Sequence, residues 1–302
     1  MAAVRATKSS AKRSRNSGLA GLSLLLACSS VAPSAEDGAV TRGGYLAAAA
    51  GCDQCHTDSK NAGAAYAGGR VLDTVFGAIV TPNITPDRNT GIGGWSEADF
   101  ARAMRWGIAP DGTHYVTAFP FPYFAGLTDS DLADLKAYLD SLAPVSKPRV
   151  AGAASLALFA RARAAIGAAI AANSGPSSPP SKDDKIVRGA YLVATVGRCG
   201  DCHTPLTWLG APDVDRYLAG SHGDLEGRRA PNITPEEKTG IGSWSADDIA
   251  SLLKDGGTPD GDFVGGAMAE IVRNTTRLTE DDRRAIAAYL KMLPPKVFTK
   301  NN

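Results

Sequence analysis

"CDQCH" occupies residues 52–56 and "CGDCH" occupies residues 199–203, so four of the five cysteines and two of the four histidines fall into two copies of one pattern. At these residue frequencies chance supplies roughly 0.001 matches to C-x-x-C-H in a chain of 302 residues. A zinc site would use thiolates and imidazoles in one tetrahedral set, with a second pair at its own spacing. A redox dithiol would accompany a strand-helix-strand pattern and has no need of a histidine beside its second cysteine. Here each pair carries its own adjacent histidine, the arrangement that attaches c-type haem. On that reading Cys52 with Cys55, and Cys199 with Cys202, pin a porphyrin through two thioethers, while His56 and His203 are the proximal iron ligands.

The surroundings of the two motifs repeat as well. "RGGYL" at 42–46 matches "RGAYL" at 188–192, and "PNITPDRNTGIGGWSEADF" at 82–100 matches "PNITPEEKTGIGSWSADDI" at 231–249. "LTDSDLADLKAYLDSL" at 127–142 matches "LTEDDRRAIAAYLKML" at 278–293, so one ancestral unit has been duplicated. Each unit reads as helix, haem motif, irregular loop, helix, loop, helix. Leu132, Leu135, Leu139 and Leu142 have helical spacing behind Thr128 as N-cap, and Ile286, Tyr289, Leu290 and Leu293 follow Thr279 in the same way. Ser96 and Ser245 are expected caps for the helices after Trp95 and Trp244. Strand signals are nearly absent, and the expected class is all-α.

Composition suits a globular protein, with 44% hydrophobic and 21% charged residues. The N-terminus carries five basic residues and no acid before the apolar run "GLAGLSLLLAC", which reads as an export signal over residues 1–27. That run is too short to span a bilayer. Its removal leaves 27 basic against 31 acidic residues, a net charge of −4 that implies no nucleic-acid partner. Cys28 after "LLA" resembles a lipoprotein box whose cysteine is lipidated, while "SVA" at 30–32 offers an ordinary cleavage site. Between the repeats lie an alanine-rich helical stretch and the disordered-looking "NSGPSSPPSKDD". Arg161 and Arg163 in that stretch would each cost about 2.5–3.5 kcal/mol at a bilayer centre. A helix packed on the domains, on a partner or on a membrane surface is expected instead.

On these motifs the sequence resembles a dihaem c-type cytochrome built from two tandem class I cytochrome c domains, similar to the cytochrome subunits of bacterial periplasmic alcohol, aldehyde and gluconate dehydrogenases. The resemblance covers residues 40–145 and 186–295. It implies domains at 36–147 and 185–298 joined by a linker over 148–184, two covalently bound haem c groups, and a periplasmic address. It also implies a dehydrogenase as electron donor and a cytochrome or oxidase as acceptor, with membrane attachment only through a lipid anchor at Cys28 or by surface contact. Asn83 and Asn232, with Thr85 and Thr234, stand where the family contacts haem propionates or the haem edge, with Trp95 and Trp244 packed close by; "NITP" is also good turn chemistry.

Such domains usually place a methionine at the sixth iron position, before the last helix. Met268 in "GGAMAEIV" fits that role on a loop of the second unit. A constant offset of 149 sets Phe119 opposite Met268, and phenylalanine cannot coordinate iron. Met104 aligns with Leu253 in a helix facing the core. His114 in "PDGTHYVTAFPF" is the expected sixth ligand of the first haem, with an open iron, Tyr115 and Tyr123 as alternatives; His222 reads as a loop residue. A bis-histidine haem has a lower potential than a histidine-methionine haem, so electrons would run from the first haem to the second. The alternative is a dihaem enzyme, a peroxidase or thiosulfate-type oxidoreductase, with its centre in the first unit. Against that, "VTAFPFPYFAG" has no carboxylate or arginine to assist such chemistry.

Overall fold

A computed structural model describes residues 35–74, 77–115, 118–148, 181–207, 212–222 and 229–298. The expected signal, Cys28 and the alanine-rich stretch lie outside these residues. The described residues belong to one compact unit in which the same order of elements occurs twice. The first half has α1 (Ala35–Ala50), α2 (Cys52–His56), α3 (Glu97–Trp106), α4 (Phe121–Phe124) and α5 (Asp129–Ser141). The second has α6 (Asp184–Tyr191), α7 (Cys199–His203), α8 (Ala246–Asp255), α9 (Gly266–Thr275) and α10 (Glu280–Met292). A π turn, Leu192–Val196, continues α6 toward the second motif. One feature departs from the all-helical expectation: β1 (Val71–Thr74) and β2 (Gly77–Val80) pair antiparallel in the first half, Val71 opposite Val80 and Thr74 opposite Gly77. Val71, Val80 and Thr74 are β-branched, and the pairing is short enough to have left no clear alternation in the sequence.

Capping chemistry sets the helix starts. The Ser96 hydroxyl accepts from the Asp99 amide and the Asp99 carboxylate accepts from the Ser96 amide, a capping box repeated by Ser245 and Asp248. Thr128 and Thr279 accept from the amides of Asp131 and Asp282 and open the two terminal helices. α3 and α8 stop at Gly107 and Gly256, both in the left-handed region that favours glycine.

Within each half the first long helix crosses the last, α1 on α5 and α6 on α10. Gly43 and Gly189, the glycines of the repeated "RGGYL" and "RGAYL", make those crossings possible. A methyl group at Gly43 would overlap the Asp134 carbonyl and sit 2.7 Å from Tyr138 Cβ; at Gly189 it would overlap the Ala285 carbonyl and sit 2.9 Å from Tyr289 Cβ. Backbone cannot yield as a side-chain tip can. Gly43→Ala or Gly189→Ala is therefore expected to destabilise the protein by about 2–3 kcal/mol or more, seen as a lowered unfolding midpoint; an unchanged midpoint in both would show that the crossings are looser than described here.

One continuous core runs through both halves, with Leu46, Phe100, Met104, Leu132, Leu135 and Leu139 from the first and Leu192, Val193, Val196, Leu253, Ile286 and Leu290 from the second. The halves meet along a seam with reciprocal contacts. The Tyr45 hydroxyl donates to Asp282 (2.6 Å) and accepts from the Thr279 amide (3.1 Å), both at the start of α10. Tyr191 donates to Asp131 and lies 3.5 Å from the Thr128 amide, at the start of α5. Among the described residues no helix is long and apolar enough to cross a membrane.

Candidate functional site

Each C-x-x-C-H run forms a single short helix, entered through a residue in the left-handed conformation: Gly51 (φ 69°) before α2 and Arg198 (φ 52°) before α7. On one helical turn, positions i, i+3 and i+4 share a face, so both cysteines and the histidine project the same way. None of the four cysteines is in a disulfide. Burial pushes the Cys52 thiol up to about 12 and the Cys199 thiol up to about 11, with the charge of Arg198 pulling against burial in both cases.

Both histidines are oriented alike. His56 Nδ1 lies 2.8 Å from the Pro82 carbonyl oxygen, and His203 Nδ1 lies 2.8 Å from that of Pro231. A carbonyl only accepts, so each Nδ1 carries the proton and each Nε2 keeps its lone pair for a metal. Burial also lowers both imidazole pKa values, against the opposing pull of the proline carbonyls. The neutral, ligand-competent form is favoured.

Two thiols, a neutral imidazole and a shared face are what a covalently tethered haem requires. Residues 40–143 match the cytochrome c family. A dihaem c-type cytochrome from Cereibacter sphaeroides is 44% identical over 263 residues, covering 85% of this chain and 86% of that protein. The chain belongs to the cytochrome c family. The cytochrome is also 36% identical over 285 residues to the gluconate 2-dehydrogenase cytochrome c subunit of Pantoea cypripedii, spanning 64% of that subunit's length. To the fructose dehydrogenase cytochrome subunit of Gluconobacter japonicus it is 37% identical over 267 residues, spanning 54% of that protein.

Haem c is covalently bound in this family, and the residues present fit it. Besides the donor set, the buried Tyr217 hydroxyl and Thr81 hydroxyl have no hydrogen-bond partner among the described residues. Tyr217 borders the second motif: a methyl group on Gly200 would meet its ring at 2.9 Å and that of Tyr123 at 3.4 Å. Glycine between the two cysteines of "CGDCH" is thus a packing requirement.

Asn83 and Asn232 are buried, and their amides are already satisfied by the chain. Asn83 Nδ2 donates to Val145 O (2.7 Å) and Thr90 Oγ1 (3.1 Å), while its Oδ1 accepts from the Thr85 amide (2.9 Å) and hydroxyl (2.8 Å). Asn232 does the same with Lys296 O, Thr239 and Thr234. With two donors and two lone pairs engaged, each side chain clamps the loop to the segment after the terminal helix. The turn reading of "NITP" is the one this geometry supports. Trp95 and Trp244 lie half-buried against the core at the end of the same loops.

Met268 stands in the first turn of α9, half-buried against the core, and so belongs to a helix where a loop was expected. Its helix leans on the first half: the Glu270 carbonyl accepts from Gln54, and Arg70 Nη2 is 3.3 Å from the Glu270 carboxylate. Met104 is buried in α3. His114 is exposed and bridges antiparallel to Ile108, in the register that Phe263 keeps with Gly257 in the second half. Phe119 packs edge-on against Tyr115, with centroids 5.6 Å apart, and 5.8 Å from Phe124. His222 lies against Phe298.

Sequence reasoning missed the carbonyls of Pro82 and Pro231, the reciprocal tyrosines and Arg198. The signal for the last was legible: aligned on the motifs, "GCDQCH" stands against "RCGDCH".

Proposed function

We propose that this cytochrome is an exported, periplasmic carrier with two haem c domains, residues 36–147 and 185–298. It takes electrons from a dehydrogenase at the first domain and delivers them from the second to a soluble cytochrome or an oxidase. The cytochrome subunits of gluconate and fructose dehydrogenases among its relatives support a dehydrogenase as donor. Haem held at each motif supplies a one-electron ferric/ferrous couple. The observation that carries the reading is the seam, where residues flanking each motif touch the other half: Arg198 Nη2 lies 3.5 Å from the Ala50 carbonyl, and Arg277 lies 3.4 Å from Asp53. Export through residues 1–27 and a lipid anchor at Cys28 complete the proposal.

In this reading Cys52, Cys55, Cys199 and Cys202 hold the groups, and His56 and His203 are axial ligands oriented by Pro82 and Pro231. Met268 offers a thioether in the second domain, and His114 a second imidazole in the first. Tyr115, Phe119 and Phe124 form an aromatic cluster with no carboxylate or arginine among them, which favours a carrier over an enzyme. The exposure of His114 supports one alternative, an open iron in the first domain with peroxidase or thiosulfate-type chemistry.

Near-infrared magnetic circular dichroism of the oxidised mature protein and of His114→Ala separates the two. Distinct bis-histidine and histidine-methionine bands, the first lost in the variant, are expected. A high-spin signal in the unmutated protein would remove His114 from the ligand set and turn attention to peroxide and thiosulfate as substrates.

A further inference from the structure

Arg198 occupies the position that Gly51 fills in the first half, and both are left-handed, with φ 52° and 69°. Glycine adopts that conformation freely, whereas a residue with a Cβ does so at a conformational cost. At Gly51 the space is taken, because a Cβ would sit 2.5 Å from Asn274 Nδ2. At 198 the long side chain has its own berth. Its guanidinium lies over the Phe124 ring, with Cζ 5.5 Å from the centroid, and Nη1 is 3.0 Å from the Asp201 carboxylate. Nη2 lies 3.5 Å from the Ala50 carbonyl of the other half, two residues before Cys52. Nε is buried without a protein partner. The side chain is only 17% exposed, so solvent and salt screen its charge poorly.

A strained backbone that holds a sheltered cation next to both attachment helices points to an electrostatic role. We infer that Arg198 is a shared positioning charge that raises the reduction potentials of both haems together. The inference rests on haem being held at both motifs. Reduction adds one electron to each site, supplied by the external donor, and so lowers the charge there by one. A fixed positive charge favours that form over the oxidised one. The field of Arg198 reaches both sulfur positions, where it opposes the burial-raised thiol pKa of Cys52 and of Cys199. Asp201, 3.0 Å from the guanidinium, offsets part of its charge.

Spectroelectrochemical titration of the mature protein, R198Q and R198K tests this. R198Q should shift both reduction equilibria toward the oxidised form by about three- to tenfold, tenfold being 59 mV for one electron. R198K should restore most of each shift. Two waves that stay in place in R198Q, one wave that moves alone, or an R198K that behaves like R198Q would each overturn the inference. Should R198Q fail to take up haem, D201N tests the same charge from the other side and should raise both potentials. Failure of the underlying two-haem reading looks different, because the unmutated protein would then lack two one-electron waves.

Discussion

Replacing Cys199 and Cys202 together by alanine should halve the haem that each chain carries. On the two-haem proposal each porphyrin is held by two thioethers, and without them the second site would keep only the imidazole of His203 and its bond to the Pro231 carbonyl. A single axial bond is dissociable, whereas a thioether survives denaturation. Haem counted per chain as the pyridine haemochrome, after denaturation, should fall from two to one, and the first site should still load. A content unchanged from the unmutated protein would mean that the second motif never carries haem, and the two-domain reading would fail. Folding should suffer too, since a bound group stabilises the native state that holds it. The unfolding transition of the variant should broaden or split.

The largest stability effect expected from a site remote from the haems is at Asp282. Its carboxylate is buried and accepts from Arg188 Nε (2.9 Å), Arg188 Nη2 (2.7 Å) and Tyr45 (2.6 Å). It therefore ties α10 to α6 within its half and to α1 across the seam. Asp282→Ala would strand a partly buried guanidinium and a phenol. After allowance for the exposure of Arg188, the cost is about 2–4 kcal/mol. Asp134, which accepts from Arg42 alone at 2.6 and 2.8 Å, has no cross-seam tyrosine and a more exposed partner, so Asp134→Ala should cost about half as much. Chemical denaturation of both variants checks the order, and equal losses would remove the seam from the account.

The same carboxylate makes stability depend on pH. Burial alone would raise the Asp282 pKa, but the bonds from Arg188 and Tyr45 outweigh it and hold the group below its ordinary value. A depressed folded pKa stabilises the native state fully above the unfolded value. That contribution fades as pH falls from the ordinary carboxylate range toward the folded value. Asp282→Asn should flatten this acid limb.

Much of the architecture was legible because it rests on local chemistry. Ser96, Ser245, Thr128 and Thr279 announce helix starts through hydroxyls that bond their own third neighbours, and C-x-x-C-H announces its function through spacing on one turn. What stayed hidden depends on partners distant in sequence. Nothing near Asn83 reveals that its side-chain amide will donate to the Val145 carbonyl and clamp the loop to the segment after α5. Gly43 reads as a helix-weakening residue until Tyr138 is seen across the crossing. Met268 reads as a loop residue because paired glycines precede it, yet α9 begins at Gly266 and carries it.

The reciprocity of Tyr45 and Tyr191 has a consequence for descent. Each tyrosine binds the cap of the opposite half's terminal helix, so one patch meets its own duplicate, the signature of an isologous two-fold interface. A homodimer associating in this way, with its genes later joined end to end, would leave such a seam inside a single polypeptide. Fusion frees the two copies from identity while leaving the interface that unites them. Arg198 against Gly51, Phe119 against Met268 and His114 against Phe263 are differences that a symmetric ancestor could not have held, and they lie along the haem-bearing segments. Interchangeable subunits joined in this way would acquire a front and a back.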